Sequence, residues 1–141
     1  MFFEQFITKY CGKKVDYDGV FGAQCVDLFR KYCEDVLNIP HTGSCTTTGG
    51  AKDLYTDYSN MPLEKKFFTR LAKNATPSYG YVAVWDSTPT NKYGHVAVVI
   101  CRLDASSLLV FEQNGVLQDG AKLVRRDTKN LLGYLKFKGG K

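Results

Sequence analysis

The chain of 141 residues changes its hydrophobic period once, and that change limits the folds open to it. Near the start, Phe2, Phe3, Phe6, Ile7 and Tyr10 recur at steps of three and four, the spacing of one face of an amphipathic helix over 2–10. Gly12 and the stretch KKVDYDGVFG break the pattern and read as loop. Helical spacing resumes over 24–38, with Cys25, Phe29, Tyr32, Cys33, Val36 and Leu37 on one stripe, and Pro40 closes it. HTGSCTTTGG (41–50) is loop by composition, and AKDLYTDY (51–58) reads as a short helix. From Phe67 onward the pattern is that of strands: 67–71, 80–86 (GYVAVWD), 95–102 (HVAVVICR), 108–114 (LLVFEQN), 121–125 and 132–137. The connections between them are mostly too short to hold crossover helices, so the sheet is expected to be mainly antiparallel, with about five or six strands. Helices first and strands afterwards give an α+β fold, read as a single domain over 1–141.

Composition narrows the function classes. Hydrophobic residues at 44% and charged residues at 23% are those of a globular domain, not a disordered tail or a coiled coil. No run approaches the ~20 apolar residues of a membrane span, so no membrane insertion is expected. MFFEQFITKY lacks the basic, apolar and small-residue segments of a secretory signal. The net charge of +5 favours anionic partners. The basic residues are dispersed, however, except for Lys122, Arg125, Arg126, Lys129, Lys136, Lys138 and Lys141, which read as a solvated surface. A nucleic-acid partner is not expected.

Five cysteines, with no CxxC pair and only two histidines, argue against a zinc site and against a complete disulfide framework. The arithmetic points to one functional thiol among bystanders. Cys25 in GAQCVDLF sits where a glycine-containing loop enters a helix, and the positive end of a helix dipole favours thiolate. Cys33, mid-helix, reads as core. His95 follows Gly94 and opens a strand, sharing a face with Ala97 and Val99. His41, in a Thr/Gly loop, reads as surface. Glu112 and Asn114 share one face of the next strand, with Phe111 and Gln113 on the other. If the two strands pair antiparallel, His95 neighbours Glu112 or Asn114. One ring nitrogen is then oriented by a carboxylate or amide and the other is left for Cys25, the arrangement of a cysteine hydrolase. Trp85, Tyr79, Tyr81 and Tyr93 either line a groove or pack at core and rim.

DYDGVFGAQCVDL, YGHVAVV and FEQN together resemble the CHAP domain, the cysteine- and histidine-dependent amidohydrolase/peptidase module of phage endolysins and bacterial wall hydrolases. The resemblance runs from about Phe2 to Phe137. It implies a papain-like fold related to the NlpC/P60 group, with Cys25 as nucleophile, His95 as base, Glu112 as orienting acid and Asn114 as a nearby amide. Tyr81 stands where the family often has an acidic residue. The oxyanion would be held by the Cys25 backbone N–H and the Gln24 side chain. By position, the resemblance also implies a structural calcium ion on the side chains of Asp16, Asp18 and Asp27 and the carbonyls of Val20 and Gly22. On spacing alone, Asp16 and Asp18 serve equally as turn residues and Asp27 as a helix-start acid. The implied substrate is peptidoglycan on the extracellular face of the cell, cut by an endopeptidase. A muramoyl–alanine amidase and a non-catalytic wall-binding module are the alternatives. The family's modules usually travel with a separate wall-binding domain or subunit. Lacking a signal segment, such an enzyme is made in the host cytoplasm and released through a membrane lesion.

Overall fold

The computed structural model describes residues 1–17, 24–39, 50–114 and 120–139. Helix α1 (Phe3–Tyr10) buries Phe3 and Phe6, carries Glu4 in its first turn and Lys9 in its last, and so suits its own dipole at both ends. Helix α2 (Cys25–Asp35) buries Phe29, Tyr32 and Cys33 of the expected stripe, and Leu28 beside them. Each such large apolar side chain removed from water contributes about 1.5–3 kcal/mol. The helix ends before Pro40 is reached. Asn38 takes a left-handed φ of 56° and the Ile39 N–H closes onto the Cys33 carbonyl at 3.0 Å, so an αL cap stops the helix. The short helices α3 (Asp53–Thr56) and α4 (Pro62–Phe67) follow, separated by a 3-10 turn at Tyr58–Asn60. Helix α4 was not anticipated, although Pro62 at its first turn and Lys65 and Lys66 in its last are ordinary helix signals.

Six strands follow: β1 (Phe68–Ala72), β2 (Val82–Trp85), β3 (His95–Asp104), β4 (Ser107–Gln113), β5 (Ala121–Asp127) and β6 (Leu131–Phe137). They form one sheet in the order β1-β6-β2-β3-β4-β5, and each neighbouring pair is antiparallel. The strand expectation therefore holds in number, place and direction.

Alternation along the strands divides the core in two. Val82, Val84, Val96, Val98 and Phe111 face the helices and pack with Phe6, Phe29 and Tyr32. Ala83, Trp85, Ala97, Val99, Leu108 and Val110 form a second cluster, against which Leu71 and Val124 of the two edge strands pack. α2 packs against β3 and β4. Its first residue is Cys25 and the first residue of β3 is His95, so the packing brings a helix start to a strand start.

Candidate active site

Cys25 is the first residue of α2 and is half-buried. The helix start is fixed by Asp27, which is 5% exposed and accepts from the Gln24 N–H at 2.9 Å through Oδ2. A carboxylate here satisfies a backbone donor that the helix leaves open and adds negative charge at the positive end of the dipole.

His95 is brought in by β3. Its approach demands Gly94, whose φ is 73° and where a Cβ would lie 2.4 Å from the Trp85 carbonyl oxygen. The register Val98↔Phe111 sets the start of β3 beside the end of β4, and His95 Nε2 pairs with Glu112 Oε1 at 2.9 Å. The ring also interacts with the Cys25 thiol at the start of α2. With Nε2 on the carboxylate, Nδ1 is the nitrogen left for the thiol. Burial works against charging His95, but the hydrogen bonds to Cys25 and Glu112 outweigh it and hold its pKa up at about 9. Burial alone would raise the pKa of Glu112; its bonds to Arg126 and His95 instead bring it down to about 2. The ring is thus held protonated against the Glu112 carboxylate, with the Cys25 side chain and a helix N-terminus beside it. A cysteine, an imidazole and a carboxylate in this order is an arrangement that can support nucleophilic catalysis.

Asn114 is placed differently from the simplest expectation. It has a left-handed φ of 57°, and its Nδ2 donates to Gln24 Oε1 at 2.7 Å. It therefore bears on the residue preceding Cys25, and Glu112 supplies the bond to His95. Holding the Gln24 carbonyl oxygen also fixes which end of that amide carries its donors.

Two further residues serve the site without having been picked out. Gln113, only 1% exposed, accepts from the Val15 N–H at 2.7 Å and donates to the carbonyls of Val15 at 2.7 Å and Gln24 at 2.8 Å. It ties β4 to the chain on both sides of the loop that enters α2. The signal was present: an amide in the core-facing position after Leu109 and Phe111 must find partners. Arg126, read as solvated surface, forks onto Glu112, with Nε on Oε1 at 2.7 Å and Nη2 on Oε2 at 2.8 Å. Trp85 is 4% exposed and packs inside, its ring 5.8 Å from that of His95. Of the other tyrosines considered with it, Tyr79 and Tyr93 are exposed.

The remaining cysteines behave as bystanders, with Cys33 buried and Cys11 and Cys101 exposed, all free. Cys45 and His41 lie outside the described residues. Of the five calcium positions, Asp18, Val20 and Gly22 also lie outside them, while Asp16 is exposed on the loop and Asp27 caps α2. Among the described residues no cluster of three or more His, Cys, Asp or Glu is placed to hold a metal ion. Among them, too, no helix is long and apolar enough to cross a membrane.

A thiol on the first turn of a helix, facing an imidazole on the adjacent antiparallel sheet, defines a papain-like fold. Residues 14–114 match the CHAP domain model, and the chain belongs to the CHAP domain family. It is 31% identical over 104 residues to the endolysin PlyTW of Staphylococcus phage Twort, covering 68% of this chain and 19% of that protein. It is 29% identical over 104 residues to the D-alanyl-L-alanine endopeptidase of Streptococcus phage B30, covering 65% of this chain and 23% of that protein. The chain thus spans about a fifth of the length of these relatives. Among solved structures, the endolysin LysIME-EF1 superimposes with a TM-score of 0.72 at 21% identity, over 94% of this chain and 61% of that one. Ly7917 superimposes with a TM-score of 0.60 at 17% identity, over 81% of this chain and 53% of that one.

Proposed function

We propose that the protein hydrolyses an amide bond of bacterial peptidoglycan by cysteine catalysis, as an endopeptidase of the stem peptide or cross-bridge. The observation that carries this is the buried His95, paired with Glu112 at 2.9 Å and interacting with Cys25 at the start of α2. In this mechanism the Cys25 thiolate attacks the carbonyl carbon, and the oxyanion is held by the Cys25 N–H and the Gln24 side chain. His95 gives its proton to the leaving amine as the C–N bond breaks. It then takes a proton from water, which attacks the thioester; the C–S bond breaks, the acid is released and the thiolate–imidazolium pair is restored. Glu112 orients the ring, and Asn114 holds Gln24. The endopeptidase relative from Streptococcus phage B30 supports that choice of bond over the amidase.

Calcium belongs to the same proposal. Asp16, Asp18 and Asp27, with the carbonyls of Val20 and Gly22, would hold it. The ion's contribution would be structural, fixing the loop that aims Cys25. The wall outside the cell is the place of action, and a wall-binding domain or subunit is the expected companion.

The test is turbidity loss of Gram-positive walls by wild type and Cys25→Ala, each with calcium or with chelator. Lysis by wild type and none by a folded Cys25→Ala is expected; full lysis by the variant sinks the mechanism. Loss of lysis in chelator, with calorimetric uptake of calcium by the stripped protein, is expected for the ion, and no heat of binding ends that part. Mass spectrometry of the digest separates the bonds, a free bridge or stem amine for the endopeptidase against a free N-terminal alanine for the amidase.

A further inference from the structure

Glu112 carries more than one bond. Its carboxylate is 2% exposed and takes three donors: Oε1 accepts from His95 Nε2 at 2.9 Å and Arg126 Nε at 2.7 Å, and Oε2 accepts from Arg126 Nη2 at 2.8 Å. A carboxylate held by the histidine alone can turn about its last torsion. One gripped at both oxygens by a planar guanidinium has its plane fixed.

Arg126 is itself held. Its guanidinium lies over the Trp85 ring, 5.5 Å from the centroid, and Trp85 Nε1 donates to the carbonyl of the next residue, Asp127, at 3.0 Å. Trp85 pairs with His95 across β2 and β3. Histidine, carboxylate, guanidinium and indole thus close a loop of contacts around one orienting group. The strand register alone would not produce this, since it sets Arg126 opposite Leu108 and Lys122 opposite Glu112. The guanidinium reaches along the sheet face to the carboxylate.

We propose that Arg126 is a positioning residue for the hydrolytic site: its fork sets the plane of the Glu112 carboxylate, and through it the aim of the His95 imidazole at Cys25. This rests on the cysteine-hydrolase reading above. The charged and titratable groups facing the unit are Cys25 from α2, His95 from β3, Glu112 from β4, and Arg126 and Lys122, the register partner of Glu112, from β5. Arg126 acts by keeping the carboxylate ionised and in place, so its loss weakens support for the imidazolium most on the acid side, where Glu112 begins to protonate.

The experiment compares wild type, Arg126→Met and Arg126→Lys in two assays. One is hydrolysis of solubilised wall fragments at varied concentration. The other needs no substrate: the rate of Cys25 alkylation by iodoacetamide against pH, read on the Cys25 peptide by mass spectrometry. Arg126→Met is expected to lose about 10- to 100-fold in maximal rate with half-saturation within about twofold. The acid limb of its alkylation profile should rise by about one pH unit. Arg126→Lys keeps the charge without the fork and should fall between, losing at least about threefold in maximal rate. A folded Arg126→Met with wild-type rate and profile overturns the proposal. So does a rate loss that merely follows unfolding while the profile stays put. If Arg126→Met does not fold, Arg126→Lys decides, and wild-type behaviour there overturns it. Absence of wall hydrolysis by wild type, with the alkylation shift intact, would count against the substrate reading and leave the positioning role standing.

Discussion

Replacing Gln113 by leucine should destabilise the whole domain, because one buried amide satisfies three backbone groups. The leucine keeps much of the volume but leaves the N–H and carbonyl of Val15 and the carbonyl of Gln24 without their partner. Gln24 is exposed, so water can replace the lost bond there at little cost. Val15 is buried, and each of its two orphaned groups costs about 1–3 kcal/mol. The apolar replacement returns about 1–2 kcal/mol by burial, so the net loss is about 1–4 kcal/mol. For a chain of this size that is a fall in Tm of roughly 3–20 °C. Gln113→Glu separates hydrogen bonding from volume. The ionised carboxylate still accepts from the Val15 N–H but turns its other oxygen, an acceptor with no proton to give, toward two carbonyls, and it should be no more stable than the leucine variant. Circular dichroism melts give Tm, and wall hydrolysis at 20 °C, where all variants remain folded, reads the second effect. Gln113 fixes Gln24 immediately before the nucleophile, so hydrolysis should fall about tenfold even in the folded protein. A Gln113→Leu variant melting within about 2 °C of wild type, or a Gln113→Glu variant indistinguishable from it, would refute this account of the latch.

The remaining predictions concern pH and the two strand ends. Glu112, held at about 2 against an ordinary 4.5, contributes stability that is whole above about pH 4.5 and is lost as pH falls toward 2. His95, held at about 9 against 6.5, contributes stability that is whole below 6.5 and is lost as pH rises through 9. The urea midpoint should therefore drop between pH 6.5 and 9.5 and drop less in His95→Gln; a flat wild-type profile contradicts the ion pair. Hydrolysis should lose its alkaline limb near pH 9, where the imidazolium that protonates the leaving amine disappears. Gly94→Ala should lose at least about tenfold in rate and about 2 kcal/mol or more in stability, since its Cβ would meet the Trp85 carbonyl at 2.4 Å in a backbone that cannot give way. A fully active alanine variant at this position excludes that constraint on His95. Asn114→Gly keeps the left-handed φ while removing the bond to Gln24, so its Tm should stay within a few degrees of wild type as hydrolysis falls about tenfold. Equal loss of stability and rate would assign Asn114 to the fold alone.

What could be read from the sequence was what depends on period and on local chemistry. The apolar stripes of α1 and α2 and the valine-rich strands mark most of the buried side chains, so their places follow from the spacing, although Phe2, read as part of the first stripe, is exposed. Helix α4 has only six residues and no sustained stripe, and its proline signal is too local to stand out before the structure is seen. Cys25 was legible because a helix start is marked by its flanks, and His95 with Glu112 because antiparallel neighbours meet end to start. Arg126 was not. Its role depends on a long side chain crossing the sheet face away from its register partner Leu108, and no spacing rule carries that.

The four residues Phe111 to Asn114 show how one strand end can build a site. Phe111 points to the helices and meets Phe6 edge-on at 6.0 Å, anchoring β4 in the core. Gln113, two positions on and on the same face, holds both ends of the loop that delivers Cys25. Glu112 faces the other side, where His95 and Arg126 converge on it. Asn114 leaves the strand in a left-handed turn and reaches Gln24. Alternation therefore sends one amide to the nucleophile's side and one carboxylate to the base's side from adjacent residues. A slip of one residue in the β3–β4 register would exchange those faces and misplace both partners together. The bulged but otherwise continuous pairing of β3 with β4, and the unbroken pairing of β4 with β5 from Ser107↔Asp127 to Gln113↔Ala121, hold that register. The spacing of imidazole and carboxylate is thus set by the sheet, and the thiol is brought to them by the packing of α2 on β3 and β4.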